Sequence, residues 1–112
     1  MLPRRFTLSK SDGINTILKK GDSVKSRLLV GRYKKNDKGH HRFSVIVSHK
    51  ISKKAVERNR IRRQIHEIIR LNLEKLPQNT HFDLLILPKT AIIGKTYDQI
   101  EENFLHLIPN LR

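Results

Sequence analysis

The sequence predicts a single α/β (α+β) domain with its elements in the order α-β-β-α-β-α. Three observations carry that reading. Apolar residues recur at helical spacing in three segments, while three others alternate, or run continuously apolar, as strands do. Turn-forming clusters and prolines fall between these segments rather than inside them. At 112 residues the chain is long enough for one core and too short for two, so residues 1–112 are expected to form one domain.

The first helix is expected within "SKSDGINTILKKG". Ser9 or Ser11 can cap it, Ile14, Ile17 and Leu18 fall at i, i+3, i+4, and Gly21 stands where a left-handed C-cap would go. A β-rich run follows at 24–35, "VKSRLLVGRYKK", long enough to break into two strands. After the turn "NDKG", residues 41–48 alternate Phe43, Val45 and Val47 with Ser44, Ile46 and Ser48, the period of a strand. Together these predict an antiparallel hairpin. A long helix is expected over 53–76, with Ser52 as its N-cap, Ile51 and Val56 spaced as a hydrophobic staple, and Pro77 as its stop. "FDLLIL" (82–87) is a short continuous apolar run, like a buried strand, and "PKTAIIGK" is a loop. In "TYDQIEENFLHLI" the pair Thr96 and Gln99 makes a capping box. Ile100, Phe104, Leu107 and Ile108 form that helix's apolar stripe, and Pro109 ends it.

Charge is the strongest compositional feature. The chain has 24 Lys and Arg against 10 acids, a net +14. Residues 1–35 carry +8, residues 36–49 carry +1, residues 50–70 carry +6 and residues 71–112 carry −1. All the net positive charge therefore lies in the first 70 residues. Such sorting points to a polyanionic partner, nucleic acid ahead of an anionic membrane. There is no Cys, which excludes disulfides and thiolate metal sites and fits a reducing compartment. No apolar run approaches the roughly 20 residues of a membrane helix. The basic N-terminus, "MLPRRFTLSK", lacks the apolar core of a signal peptide. A cytoplasmic location and no membrane partner are the expectations.

The stretch "KKAVERNRIRRQIHE" (53–67) places Arg58, Arg60, Arg62 and Arg63 within six positions. At about 100° per residue, Ile61, Ile65, Ile68, Ile69, Leu73 and Leu76 share one apolar arc. Asn59, Arg63, His66 and Arg70 lie opposite; Arg60 flanks them, and Arg62 edges the apolar arc. One face can pack on a sheet while the other offers cations. The guanidinium fork suits phosphate, because it grips two oxygens at once and can stack on bases. Lys53 and Lys54, beside the free N–H groups of the first turn, add to the same anion site. The six histidines show no zinc-site spacing, and no triad or carboxylate cluster suggests a nuclease centre. Neither catalytic nor metal-ligating residues are therefore assigned.

"AVERNRIRRQIHE" resembles the RNR signature of the bacterial ribonuclease P protein subunit family. The likeness extends to "LPRRFTLSKSDGINTILKKG", "RFSVIVSHKISKKAVERNR" and "TYDQIEENFLHLI", in order along nearly the whole chain. It implies a two-layer sandwich of helices on a four-stranded mixed sheet, with the long basic helix in a left-handed crossover. That handedness runs against the usual rule for such connections. It also implies a partner of a catalytic RNA, the ribonuclease P RNA, which removes the 5′ leader of precursor tRNA with Mg2+. The magnesium would be bound mainly by the RNA and none by the protein alone.

By that resemblance, Lys50, Lys53, Arg58, Asn59, Arg60, Arg62 and Arg63 would face the RNA subunit, and the reading of the helix from its faces and first turn adds Lys54, His66 and Arg70 to that set. Ile14, Leu18, Arg32, Tyr33 and Lys34 would line a leader cleft. The chain departs from the family where Ile14 and Leu18 replace aromatic residues and His66 replaces an arginine. Leader binding is thus expected to use less stacking and more charge. A monomer is expected. The rival reading is a structural, ribosomal-type RNA-binding protein with no part in cleavage. A nuclease acting without RNA would need an acidic or histidine cluster that the sequence lacks. A membrane-surface protein would need to expose the isoleucines required for the core.

Overall fold

The computed structural model describes residues 2–112, apart from the side chain of Lys10. Helix α1 spans Ile14–Lys20, and strands β1 (Asp22–Lys25) and β2 (Leu29–Asn36) follow it. Then come β3 (Arg42–Val45), helix α2 (Ala55–Leu71), β4 (His81–Pro88) and helix α3 (Tyr97–Leu107). The strands form one mixed sheet in the order β1-β2-β4-β3. The β1–β2 and β2–β4 pairs are antiparallel, and β3 runs parallel to β4.

The β-rich run does break in two, and its halves make the hairpin of β1 and β2. The hairpin expected between 24–35 and 41–48 is not formed, because β4 lies between β2 and β3. The reason is burial. "FDLLIL" is apolar on both faces and is buried from Phe82 through Ile86, so it takes an interior position. Strands β2 and β3 each carry polar residues on one face. Helix α2, about 25 Å long for its 17 residues, returns the chain to the end where β3 began. That return makes β4 parallel to β3.

The main core lies on one face of the sheet. Ile61, Ile65, Ile68 and Ile69 of α2, with Ile100, Phe104 and Leu107 of α3, cover Tyr33, Phe43, Val45, Phe82, Leu84 and Ile86. A smaller apolar cluster of Leu8, Ile17 and Leu85, with Ile14, Ile46 and Leu87 beside it, seats α1 on the opposite face. Alternation along each strand enforces the division: Tyr33 and Leu84 point one way, Arg32 and Leu85 the other.

The helix ends depart from the expected caps in four places. Ser9 and Ser11 precede α1 by a 3-10 turn, and its N-cap is Gly13 at φ 89°. Gly21 is extended rather than left-handed. It is glycine because an added Cβ would lie 2.5 Å from the Ile17 carbonyl oxygen and 2.8 Å from that of Tyr33. Lys54, not Ser52, occupies the N-cap of α2, while the Ser52 hydroxyl accepts from the Lys54 amide at 3.1 Å. No staple forms across it, since Val56 is 80% exposed. Helix α2 stops at Leu71, short of the expected 76, and Leu73–Lys75 continue as a 3-10 turn. The capping box of Thr96 and Gln99 on α3 is present as read.

Candidate nucleic-acid interface

Two cationic surfaces sit on opposite faces of the sheet. The first is the outer side of α2. With four isoleucines buried beneath it, the helix is fixed in rotation, and Asn59, Arg60, Arg63 and Arg70 are exposed. Several of these cations are already engaged. Arg58 Nη1 donates to the Ser52 carbonyl at 3.0 Å, tying the loop to the helix. Arg62 Nη1 donates to Asn59 Oδ1 at 2.7 Å, and Arg60 lies 3.6 Å from Glu57. Arg70 grips Glu67 with two hydrogen bonds, which hold the Glu67 carboxyl below its ordinary range. Among the described residues, Arg63 pairs with nothing.

His66 was expected in the open polar row, but its place is different. It is half-buried, and its Nδ1 is enclosed without a hydrogen-bond partner. Desolvation, then the nearby Arg62, lowers its pKa, so it is neutral where a phosphate ligand would be protonated. The cause is angular: one turn from Arg62, His66 shares the edge of the apolar arc. Lys50, Lys53 and Lys54 are exposed just ahead of α2, and no side chain caps that helix's first amides.

The second surface is a shallow trough between α1 and the sheet. Register places Val30 opposite Leu87, Arg32 opposite Leu85 and Lys34 opposite Asp83. Half-buried Val30, Ile46 and Leu87 lie on the same face of the sheet as Arg32 and Leu85, and Lys34 is exposed on that face. Ile14 packs on the α1 cluster, whereas Leu18 remains 37% exposed. Arg32 is partly committed. Its Nη2 donates to the Leu18 carbonyl at 2.9 Å, satisfying an end group of α1, and its Nη1 bonds the Ser23 hydroxyl.

Tyr33 does not join this group. It is 5% exposed on the other face, with its ring edge-on to Phe82 at 5.2 Å. Its hydroxyl accepts from the Arg112 amide at 3.2 Å. Strand parity forbids neighbours 32 and 33 from sharing a face. The same parity is the signal for what sequence reasoning missed: Val30 lies two residues from Arg32, and Leu87 two from Leu85.

A further network was also missed. Arg42 holds Asp83 with two hydrogen bonds, Nε to Oδ1 at 2.9 Å and Nη2 to Oδ2 at 2.8 Å, and reaches Asp12 Oδ1 at 3.2 Å. Hydrogen bonding to Asp83 keeps the guanidinium charged. The one acid inside "FDLLIL" was its trace in the sequence.

Among the described residues, no three His, Cys, Asp or Glu side chains converge as a metal site. Within that described set, no helix is long and apolar enough to cross a membrane. Fold and surfaces together define an α/β protein with two cationic faces, the class that binds a polyanion. The sequence profile of the Ribonuclease P family matches residues 2–112, and the chain belongs to that family. The ribonuclease P protein component of Clostridium kluyveri is 34% identical over 103 residues, 92% of this chain and 91% of that one. That of Carboxydothermus hydrogenoformans is 38% identical over 104 residues, 90% and 86% of the two chains. Among solved structures, the RNase P protein of Thermotoga maritima superposes with a TM-score of 0.85 at 24% identity, covering 95% of this chain and 97% of that one. An RNase P protein structure from Staphylococcus aureus gives 0.81 at 26% identity, with 94% of each chain covered. The protein is thus a subunit of a tRNA-processing endonuclease, with ribonuclease P RNA as its partner.

Proposed function

We propose that the outer face of α2 binds ribonuclease P RNA while the α1 trough holds the 5′ leader of precursor tRNA. The observation that carries this reading is the placement of two cationic surfaces on opposite faces of one sheet. A single strand of RNA lying in the trough cannot also cover α2, so the protein is built to sit between two RNA segments. Contacts to the leader exist only before cleavage. They therefore favour precursor over product, and the matured tRNA is released.

The leader is held by backbone charge and apolar contact more than by stacking. Ile14, Leu18, Val30 and Leu87 offer no aromatic ring, and Tyr33 is turned away. Magnesium belongs to the RNA in this reading. The residues at the trough do not fit a resident cation, because the carboxylates of Asp12 and Asp83 are both engaged by Arg42. The protein acts as a monomer in the cytoplasm.

The test is precursor-tRNA cleavage at low magnesium with the RNA subunit, the protein, or both. Efficient production of a mature 5′ end only by the mixture supports the reading. Cleavage by the protein alone would sink it. So would binding of the RNA with no gain in cleavage.

A further inference from the structure

Helix α1 forms one wall of the trough, yet its seven residues make barely two turns. Helices that short do not hold themselves in water. Its position is set by what it touches. Ile17, 2% exposed, plugs it onto Leu85 and Leu8. Half-buried Ile14 packs beside it, so the apolar contact of α1 comes from two residues one turn apart, and polar ties must set the tilt of so short a helix. At the C-terminal end, Arg32 donates to the Leu18 carbonyl at 2.9 Å. At the N-terminal end the Leu8 amide donates to the Phe43 carbonyl of β3 at 2.7 Å, and the bond of Arg42 to Asp12 is the side-chain tie nearest the helix start.

This side-chain tie is rigid along its length. Arg42 is clamped by Asp83 through two parallel hydrogen bonds, and Asp83 also accepts from Asn36 Nδ2 at 2.8 Å, so three strands hold the guanidinium still. Asp12, in turn, accepts from the Ser9 amide at 2.8 Å and the Ser9 hydroxyl at 2.9 Å. Only Gly13 separates Asp12 from the first residue of α1. The side chains of Arg42 and Asp83 are 15% and 11% exposed, and that of Asp12 is 29% exposed. The pair borders a cavity of about 320 Å³ that Lys34, Lys35 and Lys38 also line. Arg42 keeps its two carboxylates from repelling a polyanion there.

We infer that Asp12 and Arg42 are a positioning pair for leader recognition, fixing the α1 wall against the sheet and so setting the trough's width. The inference rests on the reading of the trough as the leader site. Asp12 is the residue to change, because removing Arg42 would strand the buried Asp83.

The experiment uses the assembled protein and ribonuclease P RNA. Dissociation constants are measured for precursor tRNA and for the same tRNA without its leader. Asp12→Ala is expected to reduce the precursor-over-mature preference by about tenfold, in line with what a small misplacement of a positioning element commands. Affinity for mature tRNA and for the RNA subunit should hold. In parallel, spin labels at Asn15→Cys and Lys25→Cys, convenient in a chain without cysteine, report the spacing of α1 from the sheet. Asp12→Ala should broaden a narrow distance distribution. A parental assembly that gains nothing from the leader overturns the reading of the trough. A parental gain that Asp12→Ala leaves intact, or an unbroadened distribution, overturns the positioning pair alone.

Discussion

Arg63 differs from the other arginines of α2 in having no partner among the described residues, and that sets what its loss should do. Arg58, Arg60, Arg62 and Arg70 each spend part of their charge or donor set on Ser52, Glu57, Asn59 or Glu67. Arg63→Ala therefore breaks no bond among the described residues. It should leave the melting temperature unchanged while reducing the salt slope of RNA binding by roughly 0.7–0.9 for one phosphate contact. An unchanged slope would remove Arg63 from the interface. Arg70→Ala should do less to binding, since Glu67 already competes for the guanidinium. The sequence told which residues are arginine and which face they share. It could not tell which were engaged, because pairing at i, i+3 depends on rotamers that periodicity does not encode. Tyr33 leaves the cleft for a plainer reason: it is next to Arg32 in sequence, whereas alternate residues of a strand are neighbours on a surface.

The helices were largely legible as elements, because an apolar arc is a local pattern. Ile61, Ile65, Ile68 and Ile69 are all buried as that pattern requires, with Ile65 fully enclosed. Ile65→Ala should destabilise the protein by roughly 2–5 kcal/mol, the range for emptying a packed aliphatic site. A variant that melts like the parent would refute the assignment of faces. Strand order was not legible in the same way, since pairing is decided between segments far apart in sequence. The run at 41–48 was correct as a strand and wrong in its partner. The short joint between α1 and β1 makes a different demand. Gly21 leaves no room for a Cβ between two backbone carbonyls, and backbone cannot step aside as a side chain can. Gly21→Ala should lower stability and displace α1. It should therefore weaken leader binding while leaving attachment to the RNA subunit intact, and equal losses in both assays would contradict that separation.

For the whole molecule, the histidines decide how the fold responds to acid. His41 is 9% exposed where β2, β3 and β4 converge. Its Nε2–H donates to the Pro77 carbonyl at 2.7 Å, and its Nδ1 accepts from the Phe82 amide at 3.0 Å. A proton on Nδ1 would destroy the second bond. Burial, followed by the neighbouring His81 and His40, lowers the pKa of His41 accordingly, and burial lowers that of His66 as well. In the unfolded chain both return to about 6.5. As pH falls through that value the unfolded state takes up protons that the folded state refuses, so stability falls with pH. The contribution is fully present above about pH 6.5 and is lost progressively as pH falls from there through the lowered folded-state values. His41→Gln keeps a donor and an acceptor without the titration. Urea unfolding at stepped pH should show the parent losing more stability than this variant between about pH 6.5 and 5. Parallel curves would mean that His41 does not supply the acid sensitivity. The same comparison separates fold from function, because a loss of RNA binding shared equally by parent and variant over that range cannot come from His41.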